Sequence, residues 1–117
     1  MNLTGRPIYK KGAKPVVSKP LRSASRNKSC TLRIPGVCTN DNAQTVGCHL
    51  RLFNTAGAAQ KPSDLHMIDA CGACHAVLDS RDKWASSGVG YDDLLRALIE
   101  TQNRRVAEGK IIMAGAA

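Results

Sequence analysis

Between residues 92 and 108 apolar side chains return at helical spacing, with Leu94, Leu95, Ala97, Leu98, Ile99 and Val106 making one broad apolar side. Asp92 and Asp93 suit the N-terminus of such a helix, and Gly109 suits its C-terminal cap. The pattern upstream is shorter in period. Thr45-Val46-Gly47-Cys48-His49-Leu50 reads as a short strand, and Leu65–Ala70 is a second short apolar stretch. Cys71-Gly72-Ala73-Cys74 then turns into a helix opening near His75, which Ser86-Ser87-Gly88-Val89-Gly90 separates from the last one. Residues 54–64, rich in Ala, Gly, Pro and Ser, form the connecting loop, and Pro35-Gly36 marks a tight turn between Cys30 and Cys38. Ile111-Ile112-Met113 adds a short strand or docks on the core. Short strands followed by helices place the chain in the α+β class.

A chain of 117 residues with 43% apolar positions fits one domain. Its four aromatics, Tyr9, Phe53, Trp84 and Tyr91, leave the core thin, so a cross-link or bound metal is expected to supplement it. No apolar run approaches the roughly 18 residues of a membrane span, and the start lacks the apolar stretch of a secretory signal. The expected setting is therefore the cytoplasm, where five cysteines read as ligands or nucleophiles rather than disulfides.

Charge divides the chain. Residues 1–40 carry nine Lys and Arg and no acid, whereas the remainder is close to balanced, for a net charge of +8. Residues 1–20 read as a basic, disordered arm and residues 21–113 as the folded domain. Such an arm is drawn to a polyanion through counterion release, which makes nucleic acid the expected partner; a merely solvated tail is the plainer alternative.

Cys30-x7-Cys38 and Cys71-x2-Cys74, separated by 32 residues, form two pairs able to deliver four thiolates to one Zn2+. Four sulfurs fill the usual coordination sphere of zinc, so this metal is a staple with no open position for chemistry. A thiol-redox Cys-x2-Cys would open a helix in a βαβ context, which is not evident, and would leave two cysteines unused. Cys48 is left over and reads as a small buried residue. His49, on the strand, and His75, directly after Cys74, are placed to face a common cleft. Asp79, four residues beyond His75, shares its helical face and is suited to orient the imidazole or support a metal-bound water. His66 reads as a surface residue.

The order of a strand-borne histidine, a loop, and Cys-x2-Cys-His opening a helix resembles the HNH, or His-Me finger, nucleases. More closely, Cys30-Thr-Leu-Arg-Ile-Pro-Gly-Val-Cys38, Cys48-His49-Leu-Arg51-Leu, Lys61-Pro-Ser-Asp64-Leu65 and Ala70-Cys-Gly-Ala-Cys-His75, with Asp79 and Arg81, are similar to the YbcO-like nucleases carried by prophages. The resemblance covers about residues 20–112 and implies a zinc-stapled ββα-metal unit with an additional C-terminal helix. It further implies a metal-dependent DNA endonuclease in a bacterial host cell. His49 matches the general base, His75 matches the ligand of a catalytic Mg2+ or Mn2+, and Asp64 lies where the family's middle Asn braces the loop. Many HNH enzymes carry an aspartate directly before the base histidine; here that position is Cys48, a poor ligand for a hard cation. Arg51, Arg81 and Lys83 flank the site and are candidates to hold the phosphodiester backbone, with ordinary surface charge the plainer reading.

The competing function is a noncatalytic zinc module that binds nucleic acid through the same arm; a thiol oxidoreductase is a distant third. Deleting residues 1–19 is expected to flatten the salt dependence of DNA affinity while leaving metal content unchanged, as read by titrations at several salt concentrations.

Overall fold

A computed structural model of the chain describes residues 15–50 and 62–115. The elements run α1 (Lys19–Ser23), β1 (Thr45–His49), β2 (Met67–Cys71), α2 (Gly72–Leu78), α3 (Arg81–Ser87) and α4 (Tyr91–Ala107), with 3-10 turns at Asn42–Gln44 and Asp64–His66. β1 and β2 pair antiparallel, Thr45 opposite Cys71 and His49 opposite Met67. This is a small α+β fold with a two-stranded sheet and four helices among the described residues.

The helix expected to run from His75 towards Ser86 is in fact two. Ser80 takes an extended conformation, with φ of −114° and ψ of 117°, and its hydroxyl accepts the Lys83 N–H at 3.2 Å. A serine at that N-cap position gives the backbone a new helix start in place of continuation. α4 begins where the acids predict, the Gly90 N–H donating to Asp93 at 2.8 Å, and ends with Gly109 at φ +74°. No strand forms at Ile111–Met113; Ile111 donates its N–H to the Arg105 carbonyl, while Ile112 and Met113 are exposed.

The buried side of α4 is not the one its apolar residues predict. Leu94 and Ala97 enter the core, but Leu95, Ile99 and Val106 are about half exposed, whereas Thr101 and Arg105 are buried. Position 69 supplies the reason. Asp69 is fully buried in β2, and its Oδ1 accepts the Ser25 hydroxyl at 2.6 Å and an N–H of Arg105. Its Oδ2 accepts Arg104 Nη1 at 3.0 Å. A buried carboxylate is tolerated only when paired and hydrogen-bonded, so the helix turns its polar residues inward to meet it.

The backbone of Asp69 does comparable work. Its N–H donates to the Thr101 hydroxyl at 3.1 Å, and its carbonyl accepts both the N–H and the hydroxyl of Thr31, at 2.7 and 2.8 Å. Side chains from α4 and from the segment before β1 thus close the free edge of a two-stranded ribbon, and β2 is buried at every position rather than at alternate ones. Gly47 faces this residue across the ribbon; a Cβ there would lie 3.0 Å from Met67 Sδ and 3.3 Å from Ser25 Oγ, so the missing side chain is what lets the N-terminal segment approach.

The N-terminal side of that segment is docked as well. Val16 N–H donates to Ser63 Oγ at 3.2 Å, Asp64 N–H donates to the Val16 carbonyl at 2.8 Å, and Ser18 caps α1. Residues 16–20, which charge alone assigns to the arm, are therefore part of the folded unit, and the deletion that isolates the arm's contribution stops at residue 14.

The four cysteines meet. Cys30 and Cys38 bracket a turn in which Arg33 takes φ +50° and Gly36 φ +75°; Cys71 ends β2 and caps α2, and Cys74 lies in the first turn of that helix. All four sulfurs lie within 4.8 Å of one another, near the edge of roughly 3.8 Å that a tetrahedral site with bonds of about 2.3 Å requires. Each pair uses the same local device, the N–H three residues on pointing at the first sulfur: Arg33 to Cys30 and Cys74 to Cys71, both at 3.5 Å. Burial opposes ionisation of Cys71, but N–H groups of Thr39 and Cys74 and the Thr39 hydroxyl draw its thiol down to about 6. Burial and the neighbouring sulfurs push Cys74 and Cys38 upward. This donor set fits a metal such as zinc, whose charge would remove the mutual repulsion of the thiolates.

Asp69→Ala is expected to lower stability by about 3–5 kcal/mol in urea unfolding, because it strands Arg105 in the interior; a loss below about 1 kcal/mol would show that the network is dispensable. Cys71→Ser is expected to release bound zinc and lower Tm by at least about 10 °C. Retained wild-type unfolding would count against the staple.

Candidate functional site

His49 ends β1 and His75 lies in the second turn of α2, so the turn at Cys71–Cys74 sets where one imidazole stands relative to the other. Both line one cavity of about 270 Å³, together with Gly47, Leu50, Leu78, Asp79, Trp84 and Leu94. Apolar side chains make up much of the wall. Trp84 is anchored there by its indole N–H, which donates to the Val89 carbonyl at 2.9 Å, and by an edge-to-face contact with Tyr91 at 6.1 Å between ring centres.

The two imidazoles have different partners. His75 Nε2 lies 3.3 Å from Asp79 Oδ2, one helical turn on, and that carboxylate is largely exposed. Together they offer a nitrogen and an oxygen from one accessible face of α2, the donor types that a divalent cation shares with water and phosphate. His49 Nε2 lies 2.8 Å from Asp64 Oδ1, and the Asp64 side chain has no exposed surface. Its other oxygen accepts the Ser18 N–H at 2.7 Å and Arg22 Nε at 2.9 Å. Burial raises the Asp64 carboxyl, but these bonds from His49, Ser18 and Arg22 outweigh it and hold the group below the usual carboxylate range.

Cys48, next to His49, points into the core and is 1% exposed; burial, with the charge of Asp79 adding to it, pushes its thiol up to about 12. Divergence of neighbouring side chains along a strand accounts for the separation of these two residues. His66 is half-buried in the 3-10 turn rather than exposed, and its imidazole is lowered by burial and by proximity to His49.

Among the described residues, the candidate backbone-binding cations do not line this cavity. Arg81 and Lys83 are exposed on α3, and Lys83 borders a separate open hollow with Pro35, Gly36, Val37 and Ala73. Arg51 lies outside the described residues. The residues that spacing did not bring forward are Ser18 and Arg22. They reach Asp64 across more than 40 positions of chain, and no local pattern encodes such a contact.

A family model described as "Putative nuclease YbcO" matches residues 19–110. Curated relatives of that name from Escherichia coli (strain K12) and from Enterobacteria phage 82 are each 37% identical over 91 residues, covering 78% of this chain and 95% of their own length. A solved structure, described as that of a putative bacteriophage protein from Escherichia coli, superposes with a TM-score of 0.58 at 33% identity, covering 77% of this chain and 100% of that one. With the match spanning both cysteine pairs, both cavity histidines and the helix α4 that packs on β2, the chain belongs to the YbcO family of phage-associated proteins named as nucleases.

Proposed function

We propose that the protein is a metal-dependent endonuclease that hydrolyses phosphodiester bonds in DNA, of the HNH type, acting in the cytoplasm of a bacterial host. The observation that carries this reading is that His49 and His75, from a strand and a helix joined by the cysteine cluster, line one cavity with different carboxylate partners. The family's name and the β1-β2-α2 order support it. In this reading the four cysteines hold a structural Zn2+, and His75, assisted by Asp79, holds Mg2+ or Mn2+.

His49 accepts the proton of the attacking water at a ring nitrogen, the task to which an imidazole is suited near neutral pH. His75 and Asp79, which line the same cavity, are the residues that would hold the second metal. When bound, that cation supplies charge stabilisation at the phosphoryl oxygen and at the departing 3′-oxygen. Trp84, Leu78 and Leu94 supply apolar parts of the cavity wall. Cys48, buried and held as a thiol, would not serve as a ligand, so His75 and Asp79 would hold the cation, and its affinity is expected to rise when DNA supplies a phosphate. Residues 1–14, with Arg81 and Lys83, supply non-specific attraction to the backbone, and Arg51 is assigned the same part.

The test is incubation of the zinc-loaded protein with plasmid and branched DNA, with and without Mg2+ or Mn2+. His49→Ala is expected to reduce the cleavage rate by about 10²-fold or more at unchanged DNA affinity. His75→Ala is expected to raise the metal concentration needed for half-maximal cleavage. Equal cleavage by His49→Ala and wild type would overturn the assignment of the base, and absence of cleavage on every substrate would favour the noncatalytic zinc-containing binding module.

A further inference from the structure

We propose that Asp64 is a positioning residue for His49, and that the Ser18–Arg22 turn belongs to the site because it fixes which way that carboxylate is used. This rests on the reading of His49 as the base, and it adds the atom at which the base works and the part of the chain that determines it.

Both oxygens of Asp64 are committed. Oδ1 faces His49 Nε2 at 2.8 Å, and Oδ2 accepts from Ser18 N–H at 2.7 Å and from Arg22 Nε at 2.9 Å. The side chain is wholly buried, so water does not substitute for any of these partners. An ionised carboxylate can only accept hydrogen bonds. The proton between Asp64 and His49 therefore belongs to Nε2, and in the neutral ring the lone pair is on Nδ1. A histidine with its tautomer set by a buried carboxylate presents one defined nitrogen to its substrate, and the carboxylate also stabilises the imidazolium that forms when that nitrogen takes a proton.

The N-terminal segment gives this pairing its direction. Val16 runs beside Ser63 and Asp64, its N–H bonded to the Ser63 hydroxyl and its carbonyl accepting the Asp64 N–H. Ser18 then brings its backbone N–H, and α1 its Arg22 side chain, to Oδ2. Two donors from one segment are thus aimed at one oxygen. They demand an acceptor at that position, which leaves the other atom of the side chain to His49. The segment that continues into the basic N-terminal residues is in this way mechanically joined to the base.

The arrangement makes Asp64→Asn informative. The asparagine oxygen satisfies Ser18 and Arg22, which turns its NH2 group towards His49. That group is a donor, so Nε2 must accept and the ring proton moves to Nδ1, the nitrogen that has to be unprotonated for the reaction. The variant is close to isosteric but holds the base in the wrong tautomer.

The experiment is a 15N-edited NMR spectrum of the histidine rings in zinc-loaded protein at about pH 8, where an ordinary imidazole is neutral. His49→Gln identifies the resonance, and cleavage assays run alongside. Wild type is expected to show His49 protonated on Nε2. Asp64→Asn is expected to show it protonated on Nδ1, with zinc content retained and cleavage reduced by about 10²-fold or more. Arg22→Ala, which leaves the Ser18 N–H in place, is expected to lose about tenfold. A wild-type His49 protonated on Nδ1 would overturn the proposal, whether or not the Asn variant folds. So would an Asp64→Asn protein with wild-type tautomer and rate. The ring spectra do not depend on turnover, so absence of cleavage alongside the expected tautomers would remove the nuclease reading and leave the positioning geometry standing.

Discussion

A carboxylate with no exposed surface sits in the middle of β2, and the stretch before β1 and the helix α4 are tied to it. Asp69 is the point where the stretch before β1, through Ser25 and Thr31, and the long helix α4, through Thr101, Arg104 and Arg105, converge on one strand. A two-stranded ribbon alone is marginal in water, since each strand has an open edge. Here the edge of β2 is closed by side chains from both ends of the chain, and the buried charge is matched by two guanidinium groups. Such a network adds less to stability than its number of bonds implies, because desolvation offsets much of the attraction.

The cysteine cluster does the corresponding work at the end of the ribbon. Its sulfurs come from the turn before β1 and from the junction of β2 with α2, so a metal held there joins the beginning of the domain to the helix bearing His75. α4 grips the same turn from outside: Arg96 donates to the carbonyls of Thr31 and Leu32, and Arg33 pairs with Glu100 through both of its terminal nitrogens. Side chains that line the cavity are therefore carried by elements fixed at two separate points. Rigid support of this kind is what the catalytic role proposed for the cavity requires.

Within the cavity the two histidines occupy unequal environments. His75 and Asp79 stand on one exposed helical face, open to a cation and its waters. His49 is bonded to a carboxylate that is dry, ionised and anchored from behind. In the proposed mechanism, two imidazoles of the same intrinsic chemistry receive different tasks from what surrounds them.

Elements with a strong local signal were legible in the sequence. The spacing of Cys71 and Cys74, the strand-like run ending at His49, the acids opening α4 and the glycine closing it all follow from chemistry within a few residues, and the structure has them there. The face that α4 buries was not legible. Leu95, Ile99 and Val106 carry the apolar signal, yet Thr101 and Arg105 go inward because a partner 32 and 36 residues away in the chain needs donors. The same holds for Ser18 and Arg22 at Asp64, and for Ser80, whose cap splits one expected helix into two. Local propensity and ligand spacing are properties of neighbouring residues and can be read along the chain. Which polar group satisfies a buried charge is decided only when distant segments are brought together and water is excluded from between them.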